Sequence, residues 1–184
     1  MIKIAKFGGS SVADAEHFKK IKAIVDADPA RRRRRRSWHR SDRRFVVVSA
    51  CGRRFKGDTK VTDLLYLVNA HVKYHVSCEE LLEDIGQRYF DIADELELTY
   101  PIREEFAAFA ERARSGGYST EELVSRGEYF TARLMAEYLG LPFRRNGCGI
   151  PSRWYAQHES HLRAGAGVRP AGRLCYARFL RRDA

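Results

Sequence analysis

The sequence predicts an α/β fold built on a mostly parallel sheet, and three observations carry this expectation. Residues 2–6 alternate apolar and basic side chains and run into Phe7-Gly8-Gly9-Ser10-Ser11, a short strand ending in a glycine turn. Helical spacing follows from Val12 to Val25, with Val12, Phe18, Ile21, Ile24 and Val25 as the apolar positions. Phe45-Val46-Val47-Val48-Ser49-Ala50 is then a continuous β-branched run, the pattern of a strand covered on both faces in a parallel sheet. Two such strands joined by a helix make a right-handed crossover.

Helices dominate the next hundred residues. Thr62 to about His75 is helical, with Leu64, Leu65, Leu67 and Val68 apolar. Ser77-Cys78-Glu79-Glu80 reads as an N-cap and first turn of a helix carrying Leu81, Leu82, Ile85, Tyr89, Phe90, Ile92 and Ala93. Pro101 starts another helix, through Ala113, closed by Gly116-Gly117. Ser119-Thr120-Glu121-Glu122 caps a last long helix that ends at Leu139-Gly140. No internal repeat is present.

Composition narrows the function classes. An apolar share of 44% in 184 residues suffices for one domain with a core. No apolar run approaches the roughly 18–20 residues that span a bilayer, and Met1 to Lys6 lacks the h-region of a signal peptide. Cys51, Cys78, Cys148 and Cys175 show no CxxC spacing, so reduced thiols in a cytoplasmic protein are expected.

The net charge of +10 would ordinarily point to nucleic acid. Residues 31–44 contribute +8 of it and residues 144–184 contribute +7, which leaves −5 for the rest. The basicity therefore belongs to two segments that also interrupt the pattern of the chain. Arg31–Arg44 breaks into a helix-to-strand loop, and all periodicity stops after Phe143. Arg31–Arg44 reads as a solvated charge run. An Arg-rich nucleic-acid-binding protein is the rival from another class. It would need a folded basic face with aromatics for stacking, and the tryptophans those segments offer are Trp38 and Trp154.

Three motifs carry chemistry. In Lys6-Phe7-Gly8-Gly9-Ser10-Ser11, glycines between strand and helix let backbone N–H groups approach a phosphate, and Lys6 at the strand end could neutralise a transferring phosphoryl group. It is not a Walker A loop, because GxxxxGK[ST] is absent. The alternative is a plain tight turn. Ser49-Ala50 and the stretch from Gly52 to Thr62 form a second polar loop at a strand's C-terminal end, where open α/β sheets bind ligands. Ser49 and Thr62 could hydrogen-bond a small anion, or Thr62 could simply cap a helix. Ser125-Arg126-Gly127-Glu128 places a glycine inside a helix, at a cost of about 1 kcal/mol relative to alanine, so close packing or a ligand is expected there. Glu128 could receive an ammonium group or be a solvated helix charge.

Taken together, KFGGSSVAD, VVVSA followed by GDTKVTDLL, and SRGEYFTARLMAEYLG resemble, in order and spacing, the three N-terminal signature regions of aspartate kinases. The resemblance covers residues 1–30 and 45–143. It implies an amino-acid kinase-like three-layer sandwich with a mostly parallel sheet, here incomplete. It implies transfer of the ATP γ-phosphate to the β-carboxylate of L-aspartate with Mg²⁺, and a homo-oligomer for the full-length family member. Carried over by motif, Lys6 would stabilise the transferring phosphoryl, and Gly8, Gly9, Ser10 and Ser11 would line the phosphate path. Ser49, Thr62 and Glu128 would hold aspartate, with Glu128 facing its ammonium group. No residue is assigned to metal binding. Cys51 stands where the family pattern leads one to expect another small residue or proline. The runner-up among enzymes is another amino-acid kinase acting on a different carboxylate or carbamate; SRGE argues against it.

The family's kinase domain continues beyond the SRGE helix into the part that holds adenine and ribose, and regulatory ACT domains follow. Residues 144–184 resemble none of this as written. Read one nucleotide later, codons compatible with Ile150–Glu159 and with Arg173–Arg182 permit strings like those the family carries next, including a strand ending in PGFxG. The sequence reading is therefore an N-terminal kinase part at 1–143, a frameshifted tail at 144–184, and no activity from the 184-residue chain alone.

Overall fold

The computed structural model describes residues 2–27, 43–144 and 176–178. The readings of the Arg31–Arg44 run and of the tail lie outside these residues, apart from positions 43, 44, 144 and 176–178.

The chain opens with β1 (Ile2–Phe7), a 3₁₀ turn (Gly9–Val12) and α1 (Ala15–Ala27), and continues into β2 (Arg43–Val48). β1 and β2 pair in parallel, with Ile4 opposite Phe45 and Phe7 opposite Val48, as the crossover pattern requires. Four helices follow: α2 (Val61–Lys73), α3 (Glu79–Glu95), α4 (Ile102–Arg114) and α5 (Thr120–Tyr138). The short β3 (Phe143–Arg144) and β4 (Tyr176–Arg178) complete a sheet of order β1-β2-β4-β3, in which β4 runs antiparallel to both neighbours.

The helix boundaries follow their end signals. α4 begins after Pro101 and is closed by Gly116 at φ 69, with Gly117 N–H donating to the Arg112 carbonyl. At the start of α5, the Ser119 hydroxyl accepts from Glu122 N–H while the Glu122 carboxylate accepts from Ser119 N–H, a complete capping box. Gly140 at φ 63 ends the helix. At α3 the N-cap is Cys78 rather than Ser77, and it makes no side-chain cap bond.

The continuous β-branched run predicted a strand covered on both faces. Instead Val46 and Val48 are buried, whereas Phe45 and Val47 are half-buried. The reason is that α5 packs on one face of β2, and residue period 2 sends alternate side chains to the other. The core lies among the helices and that covered face. Its centre is aromatic: Tyr89, Phe106, Phe109 and Phe130 sit with ring centroids 5.3–5.4 Å apart in tilted and edge-on pairs. Packing of α3 on α2, α4 and α5 thereby fixes α5 against β2.

Candidate functional site

Two loops leave the sheet side by side. Ser49 N–H donates to the Phe7 carbonyl at 3.1 Å, which aligns the ends of β1 and β2. Gly52 N–H donates to the Gly9 carbonyl at 2.9 Å. The backbones are so close that a Cβ on Gly52 would lie 2.6 Å from the Gly9 carbonyl carbon. Gly8 is the opposite case. It is exposed, and nothing lies within 4 Å of where its Cβ would be, so the turn presents open backbone to solvent. Lys6 is exposed at the end of β1, Ser10 is exposed, and Ser11, half-buried, donates its N–H to the Gly8 carbonyl.

Helix α5 approaches these loops through Gly127. A Cβ there would meet Ala50 Cβ at 2.9 Å and the side chains of Leu65 and Val61 at 3.2 Å. The glycine singled out in the sequence is thus required by close packing. Its neighbour Glu128 arrives at the same edge, with Oε2 buried and without a hydrogen-bond partner among the described residues. Burial raises the Glu128 pKa, and the Lys6 charge pulls it the other way, so the carboxylate and the ammonium group share one electrostatic environment. Thr62 is half-buried in the first turn of α2, one residue after Val61, whose N–H donates to the Cys51 carbonyl at 3.1 Å. Lys6, the 8–11 turn, Ser49 and its loop, Thr62 and Glu128 are therefore gathered at one edge of the sheet. The N-cap of α2 is Lys60, so Thr62 does not cap that helix.

Supporting residues not singled out in the sequence complete the arrangement. Arg88 of α3 reaches the loop before α2, donating to the Thr59 carbonyl at 2.6 Å and to Asp58 at 2.7 Å. Arg54 grips the same carboxylate through its backbone N–H and guanidinium. Burial raises the Asp58 pKa, but the Arg54 hydrogen bonds and the Arg88 and Arg54 charges outweigh it and hold the carboxyl at about 2. A sequence signal for this existed: Arg88 falls on the apolar stripe Leu82, Ile85, Tyr89, Ile92, where an arginine demands a buried anion. On the other side, the Tyr89 and Thr131 hydroxyls both donate to the Gly127 carbonyl, at 2.8 and 2.9 Å. Cys51 lies 3.5 Å from the Thr131 hydroxyl, and burial pushes its thiol up to about 11, the state of a packing residue.

Among the described residues no group of three or more His, Cys, Asp or Glu side chains could hold a metal ion, and no helix is long and apolar enough to cross a membrane. The arrangement can present the Lys6 cation and open backbone to an anion, near a half-buried carboxylate suited to a cation.

No protein-family model matches the chain. Aspartokinase 3 of Bacillus subtilis (strain 168) is 36% identical over 142 residues, which is 74% of this chain and 29% of that relative. The crystal structure of Clostridium acetobutylicum aspartate kinase, described as an allosteric enzyme, matches with TM-score 0.65 and 37% identity, covering 76% of this chain and 29% of that one. Two structures of E. coli aspartokinase III cover the same shares. One, with aspartate and ADP, has TM-score 0.56 and 28% identity; the other, with lysine and aspartate, has TM-score 0.54 and 29% identity. The chain thus spans about 29% of the length of the relatives it matches. Over that span, in sequence and in fold, it is similar to the aspartate kinases.

Proposed function

We propose that residues 1–143 form the phosphoryl-transfer and substrate-holding part of an ATP-dependent kinase acting on the β-carboxylate of L-aspartate. The observation that carries this reading is the half-buried Glu128, whose buried Oε2 has no hydrogen-bond partner among the described residues and whose carboxylate feels the Lys6 charge, near an open glycine turn. A buried acceptor without a donor is costly unless a ligand completes it, and the ammonium group of an amino acid is a fitting donor. The aspartokinase III structure bound to aspartate and ADP supports the choice of ligands.

In this reading Glu128 holds the substrate ammonium, and Ser49 and Thr62 hydrogen-bond its carboxylates. Lys6 neutralises charge on the transferring phosphoryl, while Gly8, Gly9, Ser10 and Ser11 line the phosphate path. The β-carboxylate is ionised at neutral pH, so these residues need no general base; they orient and screen. Mg²⁺ would be held by the ATP phosphates, since the described residues offer no carboxylate cage. ATP supplies the phosphoryl group, and its adenine contacts belong to the part of the relatives outside the matched span. The 184-residue chain alone should therefore not turn over. Its working place is the cytoplasm, where ATP and free aspartate are found.

The test is a titration of the chain with L-aspartate, followed by NMR of the Glu128 side chain. Binding that shifts the Glu128 signal and is lost in Glu128→Gln is expected. Aspartate binding unchanged in Glu128→Gln would overturn the assignment. A coupled ADP-release assay, run beside a version with the reading frame changed after Phe143, tests the expected lack of turnover.

A further inference from the structure

The loop between β2 and α2 carries charge that the site described above does not use. From Gly52 to Lys60 it holds Arg53, Arg54, Lys56 and Lys60 against one acid, Asp58. Arg54 and Asp58 are engaged with each other. The Arg54 backbone N–H donates to Asp58 Oδ2 at 2.9 Å and its Nε to the same oxygen at 3.0 Å, while Arg88 donates to Oδ1 at 2.7 Å. The Arg54 guanidinium also lies over the Phe55 ring, 5.7 Å from its centroid. Arg53 and Lys56 are exposed, and neither pairs with an acid among the described residues.

Position separates Arg53 from an ordinary surface charge. It follows Gly52, whose N–H donates to the Gly9 carbonyl at 2.9 Å and whose missing side chain lets the two backbones touch. One Cα step is about 3.8 Å, so a side chain as long as that of arginine can reach the open Gly8–Ser11 turn. Residues 6–11 bring one cation of their own, Lys6, whereas a polyphosphate carries several negative charges. The ion network beneath the loop has the same implication. Burying a carboxylate between two guanidinium groups costs desolvation, and the Arg88 bond to the Thr59 carbonyl already ties down the approach to α2. The Arg54–Asp58 grip does something further: it fixes the residue next to Arg53 and so limits where Arg53 can stand.

We propose that Arg53 is a phosphate-binding residue, held beside the Gly8–Ser11 turn by the Arg54–Asp58–Arg88 network, and that its ligand is the polyphosphate of the nucleotide. This rests on the kinase reading given above and adds a second cation to the phosphate path. A guanidinium fits the task because its planar fork matches two phosphate oxygens at once. Lys56, exposed on the same loop, adds positive potential that attracts the anion.

Calorimetric titration of the 184-residue chain with inorganic tripolyphosphate tests this, with circular dichroism to confirm that each variant folds. Salt at about 0.15 M screens non-specific attraction to exposed charges. The wild-type chain should bind, and Arg53→Gln should weaken binding by on the order of tenfold, as for a charge-assisted hydrogen bond. Arg53→Lys should recover part of the loss, because a lysine keeps the charge and lacks the fork. Asp58→Asn should weaken binding several-fold although it removes a negative charge, because it frees the loop. Titration with L-aspartate should be unchanged in Arg53→Gln. Tripolyphosphate binding that is lost in Lys6→Met and unchanged in Arg53→Gln would overturn the Arg53 assignment and leave the kinase reading standing. Binding indifferent to Lys6→Met, or no binding by the wild-type chain, would overturn that reading and the proposal with it. Tighter binding in Asp58→Asn would overturn the role given to the ion network.

Discussion

Asp58 links acid stability to the site loop, and its replacement gives the sharpest test of the geometry. Its side chain is 5% exposed and is gripped by Arg88, itself 3% exposed, and by Arg54. The folded chain holds its carboxyl at about 2, against an ordinary value of 3.8. At about 1.4 kcal/mol per unit, that difference corresponds to on the order of 2 kcal/mol of stability. Because the folded value is depressed, this contribution is fully present above about pH 4 and is lost as the pH falls toward 2. Asp58→Asn removes the titrating group and should flatten that part of the profile. Arg88→Met should do more harm at neutral pH, roughly 3 kcal/mol, because it leaves a buried carboxylate short of a partner and the Thr59 carbonyl without its donor. The remaining Arg54 bonds keep the loss at the lower end of what breaking a buried pair costs. Urea unfolding of the three proteins at a series of pH values measures this. The difference between the wild-type chain and Asp58→Asn should shrink by on the order of 2 kcal/mol between about pH 4 and pH 2. Parallel stability curves over that range would refute the argument, because they would mean that Asp58 is not held ionised by its arginines.

Gly127→Ala should destabilise the chain by roughly 1–2 kcal/mol in urea unfolding, since the gain of about 1 kcal/mol in helix propensity is exceeded by overpacking against Ala50, Leu65 and Val61. The same variant should weaken aspartate binding, because α5 cannot rotate away from Ala50 without displacing Glu128. Glu128→Gln should raise the melting temperature at neutral pH while abolishing aspartate binding. A carboxylate whose folded pKa is raised by burial costs stability as the pH climbs through its unfolded and then its folded value; a lower melting temperature would contradict this. Cys51 should react with a thiol reagent in the native chain only as fast as the chain opens, and at an ordinary rate in denaturant, as befits a buried thiol pushed up to about 11.

Local signals made much of the fold legible. The β1 alternation, the Pro101 start, the Ser119–Glu122 box and the Gly116 and Gly140 stops are short-range devices, each settled within a few residues. The parallel β1–β2 pairing was readable too, because a strand, a helix and a second strand admit one common connection. Gly127 was visible as an anomaly, but its reason was not: a helical glycine reads the same whether a ligand or Ala50 stands opposite.

What the sequence by itself determined is the order of elements and the residue types that could bind an anion and an amine: Lys6, the Gly8–Ser11 turn, Ser49, Thr62 and Glu128. What only the tertiary structure decided is their relation. The nearness of Gly9 to Gly52, of Gly127 to Ala50, and of Glu128 to Lys6 depends on contacts between residues 43 or more positions apart. The Arg88–Asp58 pair, 30 positions apart, belongs to the same class. Such contacts depend on how α3, α4 and α5 pack around the aromatic core, a sum of many weak, non-directional burial terms that no local pattern encodes.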